Sequence, residues 1–397
     1  MERKLFLKIL ESSLHSAPFV SSEGNREQWL NVFRLAEIHK VLPLVVDASL
    51  KVCPPDTDEL PSFIKKTKLM VTGQVIKSAA FLNLCKLLTE ENIRFLTLKG
   101  IVCRQVYPKP DLRISGDEDL FVCSEDFAKI TDVLKKAGFF SVKPDTDGIE
   151  ETFTDGKGLF VEVHKALFDK DNGYFDKFNA LFDSVFDNPF YLEVASTKIP
   201  TLHPEMHLLY LILHCAKHFF HSGVGIRQVS DILMFYRFYK SSINLENVID
   251  TCRCLSLDKF AAAIFDIGDR YLGFEKPDIA DIDSDMLLED ILDAGVYGSS
   301  SLSRQHSAGI TLSAVKGKRK GALGRIFPSS KELGSGFTYA KKHPVLLPVA
   351  WGHRLMRYSS QVSKTAENSP KDTLSLGKKR VELMKHYGMI PESEVKK

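Results

Sequence analysis

Two aspartates in the middle of the chain have the type and spacing of metal ligands. Asp117 and Asp119 lie in DEDLFV, a short acidic and apolar run that predicts a β-strand. Because side chains alternate along a strand, both aspartates share one face, about 7 Å apart, while Glu118 points to the opposite face. Mg²⁺ prefers oxygen ligands and commonly binds through one or two carboxylates together with the phosphates of a nucleotide. The pair predicts a metal site, although the same pattern also occurs at exposed strand edges and turns.

A lysine and a glycine precede the aspartates at the end of another predicted strand. IRFLTL is rich in branched and aromatic residues and stops at Lys99 and Gly100, as a buried strand running into a turn does. Further elements follow in the order helix, strand, strand: residues 125–137, 150–155 and 159–167, the last two flanking a glycine turn at 156–158. This order predicts an α/β (α+β) fold with a small mixed sheet.

Helical periodicity on both sides of this core indicates three regions. They are an N-terminal helical lead-in at residues 1–58, the α/β core at 59–198, and a helical domain at 199–397. A Ser-, Gly- and Lys-rich stretch predicts a basic flexible loop near 300–324 within the last region.

Composition argues against several classes of partner. Fifty-three basic residues against 51 acidic ones leave a net charge of only +2, so no global field attracts nucleic acid. The one dense basic run, KGKRK, has no interleaved aromatic residues for stacking bases, which also disfavours nucleic acid. The longest apolar runs are well short of the roughly 20 residues that span a bilayer, and no signal peptide is recognisable. Together with the scattered cysteines, these features predict a cytoplasmic protein without a membrane partner.

The order of motifs carries a family resemblance. Residues 96–122 combine a strand, the Lys-Gly turn, an arginine and the D-x-D strand, and an E-x-H strand follows in LFVEVHKAL. This order resembles the DNA polymerase beta-like nucleotidyltransferase superfamily. Within it, the chain is similar, over roughly residues 25–358, to a family of uncharacterised nucleotidyltransferases often associated with bacterial polysaccharide and natural-product gene clusters.

The resemblance implies a ligand set for the metal. Asp117, Asp119 and Glu162 would be the catalytic carboxylates and would hold Mg²⁺ or Mn²⁺, with Glu162 on a neighbouring strand. The family usually has an apolar residue between the two aspartates, whereas this chain has Glu118. That departure calls for an ion pair with a residue that the sequence does not identify, or for a locally open core.

The nucleotide would lie against the groups that precede the metal ligands. Lys99 and Arg113 would supply positive charge to the triphosphate, and Gly100 would let the backbone approach it. His164 shares the face of Glu162, so it could contact the nucleotide, orient a carboxylate or be structural.

The function implied is transfer of a nucleoside monophosphate from a nucleoside triphosphate (NTP) to an unidentified acceptor. The acceptor could be a small molecule, a sugar or a protein side chain. The alternative is a catalytically silent nucleotide-binding or interaction protein with the same fold. Glu118 suggests this alternative because it departs from the family pattern between the two aspartates.

Two patterns of polar residues in the helical region are interpreted as structural, not as binding sites. His214, His218 and His221 share a helix face, but no second motif supports zinc. Arg227 and Asp231, four residues apart, predict an ion pair within one helix.

Overall fold

The computed structural model describes residues 1–19, 24–51, 58–143, 149–168, 174–296, 302–315, 337–362 and 370–390. Four helices precede the first strand: α1 (Glu2–His15), α2 (Arg26–Ile38), α3 (Leu42–Ser49) and α4 (Leu60–Glu90). The start of α2 is fixed by a capping box, in which the Asn25 side chain accepts the Gln28 N–H and the Gln28 side chain accepts the Asn25 N–H. The helical character predicted for the N-terminal region is present in α1, α2 and α3.

Seven strands form one mixed sheet in the order β3-β4-β5-β2-β1-β7-β6. The strands are β1 (Phe95–Leu98), β2 (Glu118–Val122), β3 (Phe140–Lys143), β4 (Glu150–Thr154), β5 (Phe160–His164), β6 (Phe190–Val194) and β7 (Thr197–Thr201). In the centre, β2 pairs antiparallel with β1 and parallel with β5. Every residue of β1 and β2 is buried, so both faces of the central sheet are covered.

The remaining helices lie between the strands or after them. Three are inserted in the core: α5 (Gly100–Gln105), α6 (Phe127–Lys136) and α7 (Asp176–Asn179). The rest follow β7: α8 (Pro204–His221), α9 (Ile226–Tyr239), α10 (Leu245–Cys254), α11 (Asp258–Leu272), α12 (Asp285–Ala294), α13 (Leu302–Val315), α14 (Thr338–Lys342), α15 (Leu347–Val362) and α16 (Pro370–His386). This arrangement confirms the predicted α/β class with a small mixed sheet flanked by helical regions.

One continuous hydrophobic core extends from Leu5 in α1 through the sheet to Ile390 beyond α16. It passes through all three predicted regions, so their division at residues 58 and 198 stays a prediction. Strand β7 continues to Thr201, three residues past the second of these boundaries.

The prediction of a flexible loop near residues 300–324 is wrong for residues 302–315, because they form α13. Helix α13 packs on α8 and α16, and its Arg304, Ser307 and Thr311 are buried. Tertiary packing therefore overrides the weak helix propensity of serine and glycine in this segment. The basic run KGKRK lies outside the described residues. None of the described helices is long and apolar enough to cross a bilayer.

Candidate active site

The pairing of β2 with β5 places two predicted carboxylates side by side. In the parallel register, Asp119 is the direct partner of Glu162. Neighbouring strands lie about 4.8 Å apart, and paired residues point to the same face. Asp119 is nearly fully buried, and Glu162 is half-buried. The register thus brings together residues that are 43 positions apart in sequence.

His164 completes a group of three potential metal ligands. Its Nε2 lies 3.1 Å from Asp119 Oδ1 and 3.6 Å from Glu162 Oε2. One ligand atom from each of these three residues lies within 4.8 Å of the other two. On the opposite side of the ring, His164 Nδ1 lies 3.4 Å from Glu150 Oε2, because Glu150 of β4 pairs with His164. A carboxylate behind an imidazole is a common way to orient a metal-binding histidine.

Asp117 lies one residue before β2 and is not one of these three ligands. It is half-buried and close enough for its charge to act on the other carboxylates. Burial raises the pKa of Asp117, and repulsion from Asp119 raises it further, against the attraction of Lys99 and Arg227. Asp117 therefore belongs to the same electrostatic cluster.

The surroundings of Asp119 and Glu162 shift the pKa values of these two carboxyl groups in opposite directions. Burial alone would raise the pKa of Asp119, but the charge of Lys99 and the hydrogen bond from His164 hold it well below its usual range. Burial raises the pKa of Glu162 to about 7, and the negative charges of Asp119 and Asp117 contribute to that rise. Asp119 is therefore a permanent anion, whereas Glu162 exchanges a proton near neutral pH.

Lys99 lies between the carboxylates and the helical region. Its Nζ is 2.9 Å from Asp119 Oδ1 and 3.0 Å from His214 Nε2. The Lys99 backbone has φ 39°, in a region that non-glycine residues seldom occupy. Such strain costs about 1–3 kcal/mol and is typically found at functional sites.

Glu118 has a buried ionic partner, Arg104 of α5. The Glu118 Oε1 atom accepts hydrogen bonds from Arg104 Nη2 at 2.7 Å and from Ser115 Oγ at 2.9 Å, and its Oε2 accepts the Ile101 N–H at 2.8 Å. A Cβ on Gly100 would lie 2.1 Å from Glu118 Oε2, so only glycine fits there. Of the two alternatives that the sequence left open for Glu118, the ion pair is the one present, and the Glu118 carboxylate fixes the turn at the start of α5.

Arg113 has a different position from the one expected of a phosphate ligand. Its guanidinium donates to both carboxylate oxygens of Asp231, at 3.0 Å and 2.5 Å, and Tyr107 donates to the same carboxylate at 2.8 Å. All three residues are buried. A phosphate contact by Arg113 stays a prediction, and this geometry does not favour it. The predicted pair of Arg227 with Asp231 is wrong, because Asp231 is bound by Arg113 and Arg227 donates to the Ile114 carbonyl.

The histidines of α8 border Lys99. The Nε2 atoms of His214 and His218 lie 3.1 Å apart. Burial holds the pKa of His214 well below its usual value, and the charge of Lys99 lowers it further. A neutral His214 can therefore accept a hydrogen bond from the Lys99 ammonium.

Several residues near the site were not predicted to lie there. Glu150 of β4 contacts His164, and Arg104 of α5 pairs with Glu118. Lys77 of α4 and Arg227 of α9 donate hydrogen bonds to the loop before β2. Only the antiparallel pairing of β4 with β5 could have indicated Glu150, through the hairpin at residues 156–158.

The donor set fits a divalent cation. Two carboxylates with an imidazole, and a third carboxylate close by, supply hard oxygen ligands and one nitrogen ligand. Oxygen ligands suit Mg²⁺ and Mn²⁺, and imidazole suits transition metals. The adjoining Lys99 adds one positive charge beside these ligands.

Comparison with known proteins identifies the family. A solved structure of an antigenic nucleotidyltransferase-like protein from Paracoccidioides brasiliensis is similar at 18% sequence identity. The similarity covers 51% of this chain and 94% of that chain, with a TM-score of 0.31. No curated protein matches the chain. A family described as uncharacterised nucleotidyltransferase matches residues 25–273. Because this match covers more than half of the chain, the protein belongs to the uncharacterised nucleotidyltransferase family.

Proposed function

We propose that this protein transfers a nucleoside monophosphate from an NTP to a hydroxyl group of an acceptor. The acceptor would be a small molecule, a sugar or a protein side chain. The observation that carries the proposal is the register of β2 with β5, which pairs Asp119 with Glu162 beside His164 and near Asp117. Family membership supports the reaction class.

Asp119 and Glu162 would hold a divalent cation, Mg²⁺ or Mn²⁺, with Asp117 and His164 as further ligands. The bound ion would offset negative charge on the α-phosphate and on the departing pyrophosphate. The single imidazole among the ligands favours Mn²⁺ relative to a site made of oxygen atoms alone.

The side chains of the protein would bind the substrate and move one proton. Lys99 would contact phosphate oxygens, and the turn at Gly100 would approach the triphosphate. The acceptor oxygen would form a bond to the α-phosphorus while the bond from that phosphorus to the pyrophosphate oxygen breaks. The hydroxyl proton would pass to the Glu162 carboxylate, which lies beside Asp119 on the neighbouring strand.

The buried pair of Glu118 and Arg104 supports activity over a catalytically silent protein. Glu118 lies on the opposite side of β2 from Asp119, with its charge matched by Arg104. The acidic residue in the D-x-D motif therefore does not add charge to the metal face.

The test is the double change Asp117→Asn and Asp119→Asn, which removes charge while keeping side-chain shape. We expect it to abolish magnesium-dependent ATP binding in calorimetric titration and pyrophosphate release from labelled NTPs. Circular dichroism would verify that the variant is folded. Unchanged magnesium-dependent affinity would refute the site, and binding by the wild type without turnover would favour the silent alternative.

A matched variant separates binding from chemistry. Glu162→Gln should still bind the NTP through the aspartates and Lys99, yet lose about 10²–10⁴-fold in transfer rate, as expected when a general base is removed. Wild-type turnover in this variant would exclude Glu162 from the reaction.

A further inference from the structure

Two cations from different helical regions converge on the loop that leads into β2. Lys77 of α4 donates from Nζ to the Ser115 carbonyl at 2.6 Å. Arg227, in the first turn of α9, donates from Nη1 to the Ile114 carbonyl at 2.9 Å. These carbonyls belong to adjacent residues, and Asp117 follows two positions later. The two cations, which come from helices, therefore lie near Asp117 at the start of the proposed metal site.

Neither cation has a carboxylate of its own among the described residues. The buried Arg104 and Arg113 differ in this respect, since Arg104 is paired with Glu118 and Arg113 with Asp231. Arg227 is only 8% exposed, and its Nε has no hydrogen-bond partner. A buried cation without a counter-ion is costly, and neutral carbonyl groups compensate only part of that cost. Around Lys77, the three cations Lys77, Arg104 and Arg227 face two carboxylates, Glu118 and Asp117, so the group can accept a further anion.

The electrostatics agree with this geometry. Burial lowers the pKa of Lys77, and the positive charges of Arg104 and Arg227 lower it further, against the attraction of Glu118 and Asp117. Arg227 also acts on Asp117, whose pKa it lowers. Lys77, Arg227 and Asp117 thus lie within range of one another's charge.

We propose that Lys77 and Arg227 form an anion subsite that binds the phosphate oxygens of the triphosphate. This assignment rests on the proposed function. Lys99 approaches the carboxylates from the side of His214, and Lys77 and Arg227 approach them from the loop at residues 114–116. A polyphosphate is the ligand that matches several cations around a cluster of metal-binding carboxylates, because its oxygens are shared between metal and cations.

The experiment compares Lys77→Gln and Arg227→Gln with Lys68→Gln, an exposed lysine on the same helix as Lys77. Calorimetric titration would measure the binding of ATP, inorganic tripolyphosphate and adenosine in the presence of magnesium. Each site variant should bind ATP and tripolyphosphate about 10- to 100-fold more weakly, the value of one charged hydrogen bond. Binding of adenosine should be unchanged, Arg227→Lys should recover part of the affinity, and Lys68→Gln should behave as wild type.

Thermal unfolding without ligand distinguishes a binding role from a structural one. If the two cations merely brace the Ile114 and Ser115 carbonyls, neutralising them should lower the melting temperature. If they form a ligand subsite, Arg227→Gln should melt at the wild-type temperature or above, because it removes a buried charge that has no carboxylate partner of its own. The rise in melting temperature that tripolyphosphate produces in the wild type should shrink in both variants.

The outcomes separate this subsite from the proposed enzyme activity. Wild-type affinity for ATP and tripolyphosphate in both variants would overturn the subsite and leave the nucleotidyltransferase proposal standing. The wild type could instead bind tripolyphosphate through Lys77 and Arg227 but fail to bind ATP. That result would support the anion subsite and refute the proposal that the protein acts on a nucleotide.

Discussion

At the scale of single residues, Glu162 determines how much negative charge the site carries. Burial and the neighbouring Asp119 and Asp117 raise its pKa to about 7, so a large fraction of Glu162 is protonated below neutral pH. Asp119 stays ionised over the same range because Lys99 and His164 stabilise its charge. The site therefore gains one negative charge as the pH passes through about 7.

Metal affinity should follow that charge. We expect the affinity for Mn²⁺ to rise by about tenfold per pH unit below the pKa of Glu162 and to level off above it, because the ligand must be deprotonated. Calorimetric titration at several pH values would measure this slope. Glu162→Gln should bind more weakly and lose the slope near pH 7, and the same slope in that variant would assign the titration to another group.

The same raised pKa affects the stability of the protein without added metal. The folded-state pKa of Glu162 lies above the ordinary value of 4.5, so its contribution to stability is complete at pH values below 4.5. That contribution is lost as the pH rises through about 7. Denaturant unfolding across this range should show a decrease that Glu162→Gln removes, and a decrease of equal size in the variant would contradict the assignment.

Only part of the residue-level site could be predicted from the sequence. The alternation of DEDLFV placed Asp117 and Asp119 on one face and Glu118 on the other, and the structure confirms the opposite orientation of Glu118. The proximity of Glu162 to Asp119 depends on strand register, which short-range patterns do not specify. Arg227 lies 110 positions from Asp117 in sequence, and its approach to the loop depends on the packing of α9.

At the scale of elements, the buried pair of Glu118 and Arg104 holds α5 against β2. The Glu118 carboxylate binds Arg104, Ser115 and the Ile101 N–H, and it occupies the space where a side chain on Gly100 would lie. The orientation of the Lys99–Gly100 turn therefore depends on a residue on the opposite face of the strand from Asp119.

Breaking this pair on one side should cost more than removing it entirely. Glu118→Met leaves Arg104 buried and unpaired, which should lower the free energy of unfolding by about 3–5 kcal/mol. The double variant Glu118→Met with Arg104→Met should recover most of that loss, because no charge remains buried. Denaturant unfolding of both variants measures the coupling. Equal losses in the single and double variants would show that the ion pair is not the main interaction.

Strand prediction failed where the turn residues were unusual. The β6–β7 hairpin turns through Ala195 and Ser196, both with positive φ, where glycine or asparagine is the usual signal. Strand β3 is largely exposed and lacks the apolar character of a buried strand. The β4–β5 hairpin, in contrast, was predicted correctly from the glycines at residues 156 and 158, which both have positive φ.

At the scale of the whole molecule, buried polar contacts join the core to the helical region. Tyr107 and Arg113 from the core bind Asp231 of α9, and the Arg227 guanidinium binds the Ile114 carbonyl. The hydrophobic core is continuous across the same boundary. Helix α9 is therefore joined to the segment between α5 and β2.

We expect the two regions to unfold together. Asp231→Asn should lower the free energy of unfolding by about 3–5 kcal/mol, since it leaves Arg113 buried without a counter-ion. Tyr107→Phe removes one hydrogen bond and should cost about 1 kcal/mol. In both variants, far-ultraviolet circular dichroism and tryptophan fluorescence should report one coincident transition. Separate transitions would show that the helical region is an independent unit.

The position of Lys99 has a consequence for the order in which ligands arrive. Its ammonium group lies 2.9 Å from Asp119 Oδ1, where it competes with any incoming ion for that oxygen. A free divalent ion must displace the lysine from Asp119 and gains little in return. An ion that arrives already chelated by a polyphosphate brings a new anionic partner for the displaced ammonium. The preassembled complex should therefore bind more tightly than either the free metal ion or the uncomplexed nucleotide.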